Sequence, residues 1–309
     1  MKGIQWQQNF LGDTSKEMIS RSSVIDISRE SKVSYNRSTK IRDDVMPTIL
    51  LINDDGIHSV GLLALKKRLT KLGRILVVAP KEETSGVGKA LTTRQINITE
   101  TGLEDGSKAY AITGTPADAF LLAFNKIMKR SPDLLVAGIN MGPNLGIDDL
   151  LNSGTLGAAL EAAIHHVPAI AVSYCIPEIT ENQPEKMAVT EKELELTVTI
   201  AEKTAQYVLN KGMPLEVDII SINVPKDTDF NAVKITSLSY EGYGDIHSKL
   251  GNGFMIKKWM LANYPDDEMG TDLYAVKKEK SISITPIKIR LPHNRKSLED
   301  LLKTLATPR

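Results

Sequence analysis

From Thr48 onward the chain reads as an α/β protein: a three-layer, doubly wound, mostly parallel sheet of Rossmann-like type with a C-terminal β-rich arm. Three observations carry this reading. Short apolar runs alternate with segments of helical period, the pattern of strand–helix crossovers. The runs at 48–53 (TILLIN), 74–79 (RILVVA) and 133–139 (DLLVAGI) are almost unbroken, as in strands buried on both faces. The segments after them are rich in Gly, Asn, Asp and Ser, residues that turn the chain where such sheets expose their carboxyl ends.

The elements follow in order. After the strand at 48–53, residues 61–72 place Leu62, Leu65, Leu69 and Leu72 at helical spacing, and Gly73 closes the helix. The second strand at 74–79 ends at Pro80, and 81–90 is a polar loop containing Gly86 and Gly88. Residues 91–99 and 109–113 read as two strands around a turn at 102–106. A helix at 115–130 starts with Pro116 in its first turn. The strand at 133–139 leads into a Gly/Asn/Pro-rich loop at 140–154, a small-residue helix at 155–166 and a strand at 168–174. A long helix at 191–209 and strands at 216–224 and 233–238 complete a core of residues 46–238. Residues 239–309 read as the arm, with Tyr240, Tyr243, Trp259 and Tyr264 among glycines, a strand at 282–289 and a terminal helix at 296–305.

Residues 1–45 hold eight serines and no sustained period, and read as a disordered or non-native leader with Met46 as an alternative start. The leader lacks the apolar core of a signal peptide. Its interspersed acids also argue against a transit peptide.

Composition excludes several classes. The 309 residues carry 38 Lys+Arg against 38 Asp+Glu, without the basic excess of a nucleic-acid polymer binder. An apolar fraction of 41% is too high for a disordered chain. No run approaches the ~18 apolar residues of a membrane span. The single cysteine, Cys175, leaves no intrachain disulfide or multi-cysteine metal site. It fits a reducing compartment without requiring one; a cytoplasmic location is expected.

The chemistry is sought at the carboxyl ends of the strands. The first strand ends in Asn53-Asp54-Asp55-Gly56. Two adjacent carboxylates at a strand exit can converge on a hard divalent cation. Equally, Asp54 or Asp55 could cap the following helix. A receiver-domain reading fails because no Asp ends the later strands, and a dehalogenase-type phosphatase would need Asp-x-Asp. Ser85 and Asn140 stand after two further strands and can each offer an uncharged oxygen to the same cation. Ser153-Gly154-Thr155 opens a helix and can cradle an anion. A cation beside an anion cradle suits hydrolysis of phosphate esters.

The segments ILLINDDGIHSVGL, VVAPKEETSG, TGTPADAF, PDLLVAGINMGPNLG and SGTLGAALEA resemble, in order and spacing, the SurE (survival protein E) family. The resemblance spans 46–289. It implies a divalent-metal-dependent phosphomonoesterase that hydrolyses nucleoside 5'/3'-monophosphates, with one Mg²⁺ or Mn²⁺ per subunit. It places the metal ligands on Asp54, Asp55, Ser85 and Asn140, with Asp54 and Asp55 as the catalytic pair. It places substrate contacts on Asn53, Gly86, Asn144, Ser153, Gly154 and Thr155. It also implies a small-molecule nucleotide as the partner and a homodimer or homotetramer built through the arm. Two other readings stand beside it: a short-chain polyphosphatase and a non-catalytic nucleotide-binding homologue. The chain departs from the family pattern at Asn152, where many members have Tyr, and at Glu82-Glu83, where some are basic.

Among the remaining polar residues, His58 is close enough to the Asp-Asp turn to reach a site, or is a plain helix-start residue. Asp118 reads as a helix-pairing group and Cys175 as a buried thiol. Tyr110 is a candidate platform for a base.

Overall fold

The computed structural model describes residues 46–176, 189–256 and 268–290. The leader, His293, Trp259, Tyr264 and the terminal helix expected at 296–305 lie outside the described residues. The strands are β1 (Thr48–Ile52), β2 (Arg74–Pro80), β3 (Ile98–Gly102), β4 (Lys108–Ile112), β5 (Leu134–Met141), β6 (Ala169–Cys175), β7 (Ile219–Pro225), β8 (Val233–Ile235), β9 (His247–Leu250), β10 (Gly253–Ile256) and β11 (Ile282–Ile287). The helices are α1 (Val60–Leu69), α2 (Pro116–Leu122), α3 (Gly146–Asn152), α4 (Gly154–Ile164), α5 (Glu195–Lys211) and α6 (Asp272–Lys277).

Nine strands share one sheet in the order β3-β4-β2-β1-β5-β6-β7-β11-β8. The run from β4 to β7 is parallel, and β3 and β11 pair antiparallel with β4 and β7. All five residues of β1 are buried. Their period-two alternation splits them between the sheet's two faces. Ile49 and Leu51 join α1 and α5 in one core, while Leu50 and Ile52 join α2 and α4 in the other.

This division places the crevice. The chain steps from β1 to β2 in one direction, then returns past β1 to lay down β5 on its other side. The β1/β5 boundary is therefore a topological switch point, where loops part and leave room for a ligand. The next crossovers do not all follow one hand. β4 to β5 and β5 to β6 run over the α2/α4 face, yet α5, between β6 and β7, packs on the α1 face. The β6–α5–β7 crossover thus has the opposite and rare hand.

Four expectations change. The segment at 91–99 is a strand only from Ile98; Leu91 is exposed and the ladder with β4 begins at Ile98. The helix expected at 115–130 is α-helical to Leu122 and then widens into a π-helical turn, Ala123–Ile127. The loop expected at 140–154 contains α3. The strand expected in the arm, β11, lies in the main sheet between β7 and β8. Its buried face needs the sheet's core, and a separate arm would leave that face in water. Only β9 and β10 form a separate two-stranded sheet among the described residues.

Candidate active site

The switch point is lined by the exits of β1 and β5. Asn53 is fully buried, and its Nδ2 donates to the Gly56 carbonyl at 2.9 Å and to Ser59 Oγ at 2.6 Å, so it ties off the turn. Ser59 in turn caps α1 by accepting from Leu62 N. The helix cap is therefore Ser59, and neither Asp54 nor Asp55 is used for it. Asn53 Oδ1 is buried with no hydrogen-bond partner among the described residues.

Asp54 is buried at 3% exposure. Thr155 Oγ1 donates to its Oδ1, and the Thr155 backbone adds a second hydrogen bond. The N-terminus of α4 thus spends its positive end on the Asp54 carboxylate, as helix N-termini do with anions. Burial is the larger effect and raises the Asp54 pKa above the ordinary carboxylate value, against the lowering by Thr155; the charge of Glu83 raises it further. Among the described residues no basic side chain is paired with Asp54. Gly154 is what allows the approach. A Cβ there would stand 2.8 Å from Asp54 Cβ and 2.9 Å from Oδ2.

Asp55 is half-buried and its Oδ2 accepts from Met141 N at 3.2 Å, which joins the first strand exit to the β5 exit. Asn140 arrives there by a bulge. Ala137 pairs with Ala171 and Asn140 with Ser173, so three steps on β5 answer two on β6. Such bulges re-aim a side chain. Gly138, with φ +122°, makes it possible, because a Cβ would lie 2.3 Å from the Val172 carbonyl. Asn140 Nδ2 donates to the Gly142 carbonyl at 2.9 Å, which orients the amide and leaves Oδ1 as its acceptor end.

The loop after β2 packs over the Asp-Asp turn. Thr84 N donates to the Asp54 carbonyl at 2.7 Å, and Gly56 lies against Glu82 and Glu83. Ser85 and Gly86 are exposed on this loop, and Ser85 Oγ donates to Glu83 Oε1 at 2.9 Å. Ser153 caps α4 by accepting from Leu156 N.

Asn144 turns inward. Its amide Nδ2 donates to Ser173 Oγ at 2.8 Å. Its backbone is clamped by Asn223, which accepts from Asn144 N at 2.8 Å and donates to Asn144 O at 2.9 Å. Sequence reasoning missed Asn223 and Ser173. The available signal was a polar residue near the carboxyl end of an otherwise apolar strand, IISINVP and AIAVSYC.

The α3 segment is braced from the tail. Its first N–H groups lack a side-chain cap at Leu145. They are satisfied instead by carboxylates and a carbonyl: Leu145 N by Asp149, Gly146 N by Asp272 and Ile147 N by the Ser239 carbonyl. Tyr243 donates its hydroxyl to Asp149 and its N–H to Asp148. Burial raises the Asp149 pKa to about 6.

Other singled-out residues fall outside this constellation. His58 is exposed. Asp118 completes a capping box with Thr115 and accepts from Thr92 N. Tyr110 packs into the α2/α4 core. Cys175 is buried, and burial pushes its thiol up to about 12.

The donor set suits a hard cation. It offers one buried carboxylate with no paired base, a second carboxylate beside it, and neutral oxygens from Ser85 and Asn140. Among the described residues no group of three or more His, Cys, Asp or Glu side chains is placed to hold a metal ion, so any cation here would rely on two carboxylates and neutral oxygens.

Residues 49–245 match the family model of survival protein SurE. The chain belongs to the SurE family. A 5'-nucleotidase SurE from Methanococcus maripaludis strain C6 is 37% identical over 265 residues, covering 84% of this chain and 97% of that protein. A 5'-nucleotidase SurE from Methanosarcina barkeri is 34% identical over 247 residues, covering 79% and 92%. The crystal structure of the SurE protein from Aquifex aeolicus superposes with a TM-score of 0.64 at 30% identity, covering 84% of this chain and all of that one. The SurE relationship covers the whole crevice, from β1 through α4.

Proposed function

We propose that this SurE-family chain is a divalent-metal-dependent nucleotidase that hydrolyses nucleoside 5'- and 3'-monophosphates to nucleoside and phosphate. The observation that carries the reading is the Asp54–Asp55 pair at the β1/β5 switch point, with Asp54 held by the start of α4. The relatives called 5'-nucleotidase SurE support the substrate class.

Asp54, Asp55, Ser85 and Asn140 would hold one Mg²⁺ or Mn²⁺. When bound, such an ion supplies Lewis acidity toward phosphoryl oxygens and makes water a stronger acid. The rest falls to the protein. Thr155 and the α4 N-terminus orient Asp54 and work against the rise that burial imposes on its pKa. Asn53 offers its unpartnered Oδ1 to substrate or water, while Gly86, Ser153 and Gly154 border the phosphate. Asn144 is held by Asn223 and shapes the crevice floor. Glu82 and Glu83, exposed at the mouth, repel long polyanions and favour a monophosphate over polyphosphate.

The same reading includes a cytoplasmic homodimer or homotetramer. Its support is the β9–β10 hairpin, where Leu250, Phe254, Met255 and Ile256 are exposed. Contiguous exposed apolar groups of this kind mark association surfaces. Light scattering on the purified chain reports the state directly.

The activity test is phosphate release from AMP and GMP with Mn²⁺, with and without EDTA, for wild type and Asp54→Asn. Loss of turnover in both arms is expected. Undiminished release by Asp54→Asn overturns the metal assignment.

A further inference from the structure

The loop that carries Ser85 is anchored at two points. At one end Thr84 N donates to the Asp54 carbonyl. At the other, Gly88 N donates to the Asn152 carbonyl at 2.7 Å. The contact with α4 is backbone against backbone: a Cβ on Gly157 would lie 2.2 Å from the Gly88 carbonyl oxygen. Only Ser85, Gly86 and Val87 lie between the anchors.

The next residue adds a charge. Lys89 Nζ forms an ion pair with Glu161 Oε2, on the same helix as Thr155. The Glu161 side chain is only 5% exposed, whereas that of Lys89 is one-third exposed at 33%. Glu161 Oε1 lies 3.4 Å from His165 Nδ1, and that ring packs against Phe120 and Phe124. His165 Nδ1 makes its hydrogen bond to the Glu161 backbone carbonyl at 3.0 Å, so the buried carboxylate takes its counter-charge from the lysine that reaches in to it from the loop. Thr155 and Glu161 are six residues apart, or about 9 Å along the helix axis. One rigid helix thus carries both the group that orients Asp54 and the group that holds the Ser85 loop.

We propose that the Lys89–Glu161 ion pair is a positioning device: it locks the Ser85 loop to α4 and thereby sets Ser85 relative to Asp54 and Asp55. The proposal rests on the metal-dependent reading above. Lys89 and Glu161 are positioning residues and touch no reacting atom.

The experiment measures Mn²⁺ binding to the full chain by calorimetry, with no nucleotide present. Removing Lys89 alone would strand a buried charge, so the main variant removes both, Lys89→Met with Glu161→Leu; replacing a buried pair by apolar residues is often neutral for stability. The variant is expected to melt near wild type and to bind Mn²⁺ roughly tenfold more weakly. Lys89→Arg, which keeps the charge, should bind as wild type does. Adding Ser85→Ala should cost less affinity in the double variant than in wild type, since the hydroxyl is already misplaced. Glu161→Gln, which leaves only the part-exposed Lys89 without its partner, is the milder second variant should the double one not fold, and it should weaken Mn²⁺ binding in the same direction. A folded variant with wild-type Mn²⁺ affinity overturns the proposal alone. A wild type that binds no Mn²⁺ overturns the metal-dependent reading, and this proposal with it.

Discussion

Thr155 Oγ1 donates a hydrogen bond to Asp54 Oδ1 across 101 residues of sequence. It joins the exit of the first strand to the first turn of α4, and it is the closest thing in the crevice to a counter-charge for a buried acid. Burial lifts the Asp54 pKa, and Thr155 works against that lift.

Thr155→Val keeps the volume and removes the hydroxyl. The Asp54 pKa then rises further, because the contact that lowered it is gone. A cation needs the ionised carboxylate, so protons compete with it. Mn²⁺ affinity should drop about tenfold at neutral pH. Its decline on acidification should also begin at a higher pH than in wild type. Calorimetric titrations across a pH series check both, with a melting curve to show that the fold persists.

Asn223→Leu is expected to destabilise the protein. It removes both hydrogen bonds to the Asn144 backbone, leaving a buried N–H and a buried carbonyl without partners. Each such group costs about 1–3 kcal/mol. Urea unfolding should show a loss of about 2 kcal/mol or more. Because the clamp also fixes the loop below the crevice, KM for AMP should rise in protein that remains folded.

Asp149→Asn should change how stability depends on pH. In the folded state burial holds the Asp149 pKa at about 6, above its ordinary value of 3.8. The native state therefore binds more protons than the unfolded chain between these values. This group's contribution to stability is greatest below the ordinary value and is lost as pH rises through about 6. The variant lacks that slope. The stability difference between wild type and variant, from urea midpoints, should favour wild type at acid pH and shrink or reverse above about 6.

Much of the centre of the molecule was legible in the residue string. A run such as TILLI can only be buried on both faces, so β1 and its neighbours were plain. Asp54 and Asp55 stood out because charges rarely follow such a run. The edges were not legible. α3 lacks a side-chain cap and takes its partners from Asp272 and Ser239, far along the chain, so nothing local announced a helix at Gly146–Asn152. The alternation in β11 was visible, but alternation says that a face is buried and not which sheet buries it.

The order of residues thus contained the layers, the central strands and the acidic turn, because hydrophobic period and turn chemistry are local properties. Folding alone brought Thr155 to Asp54, Asn223 to Asn144 and Lys89 to Glu161, and placed α5 on the α1 face. Those pairings depend on strand order and on crossover hand, which arise from how elements pack against one another and leave no trace in the spacing of residues along any one of them.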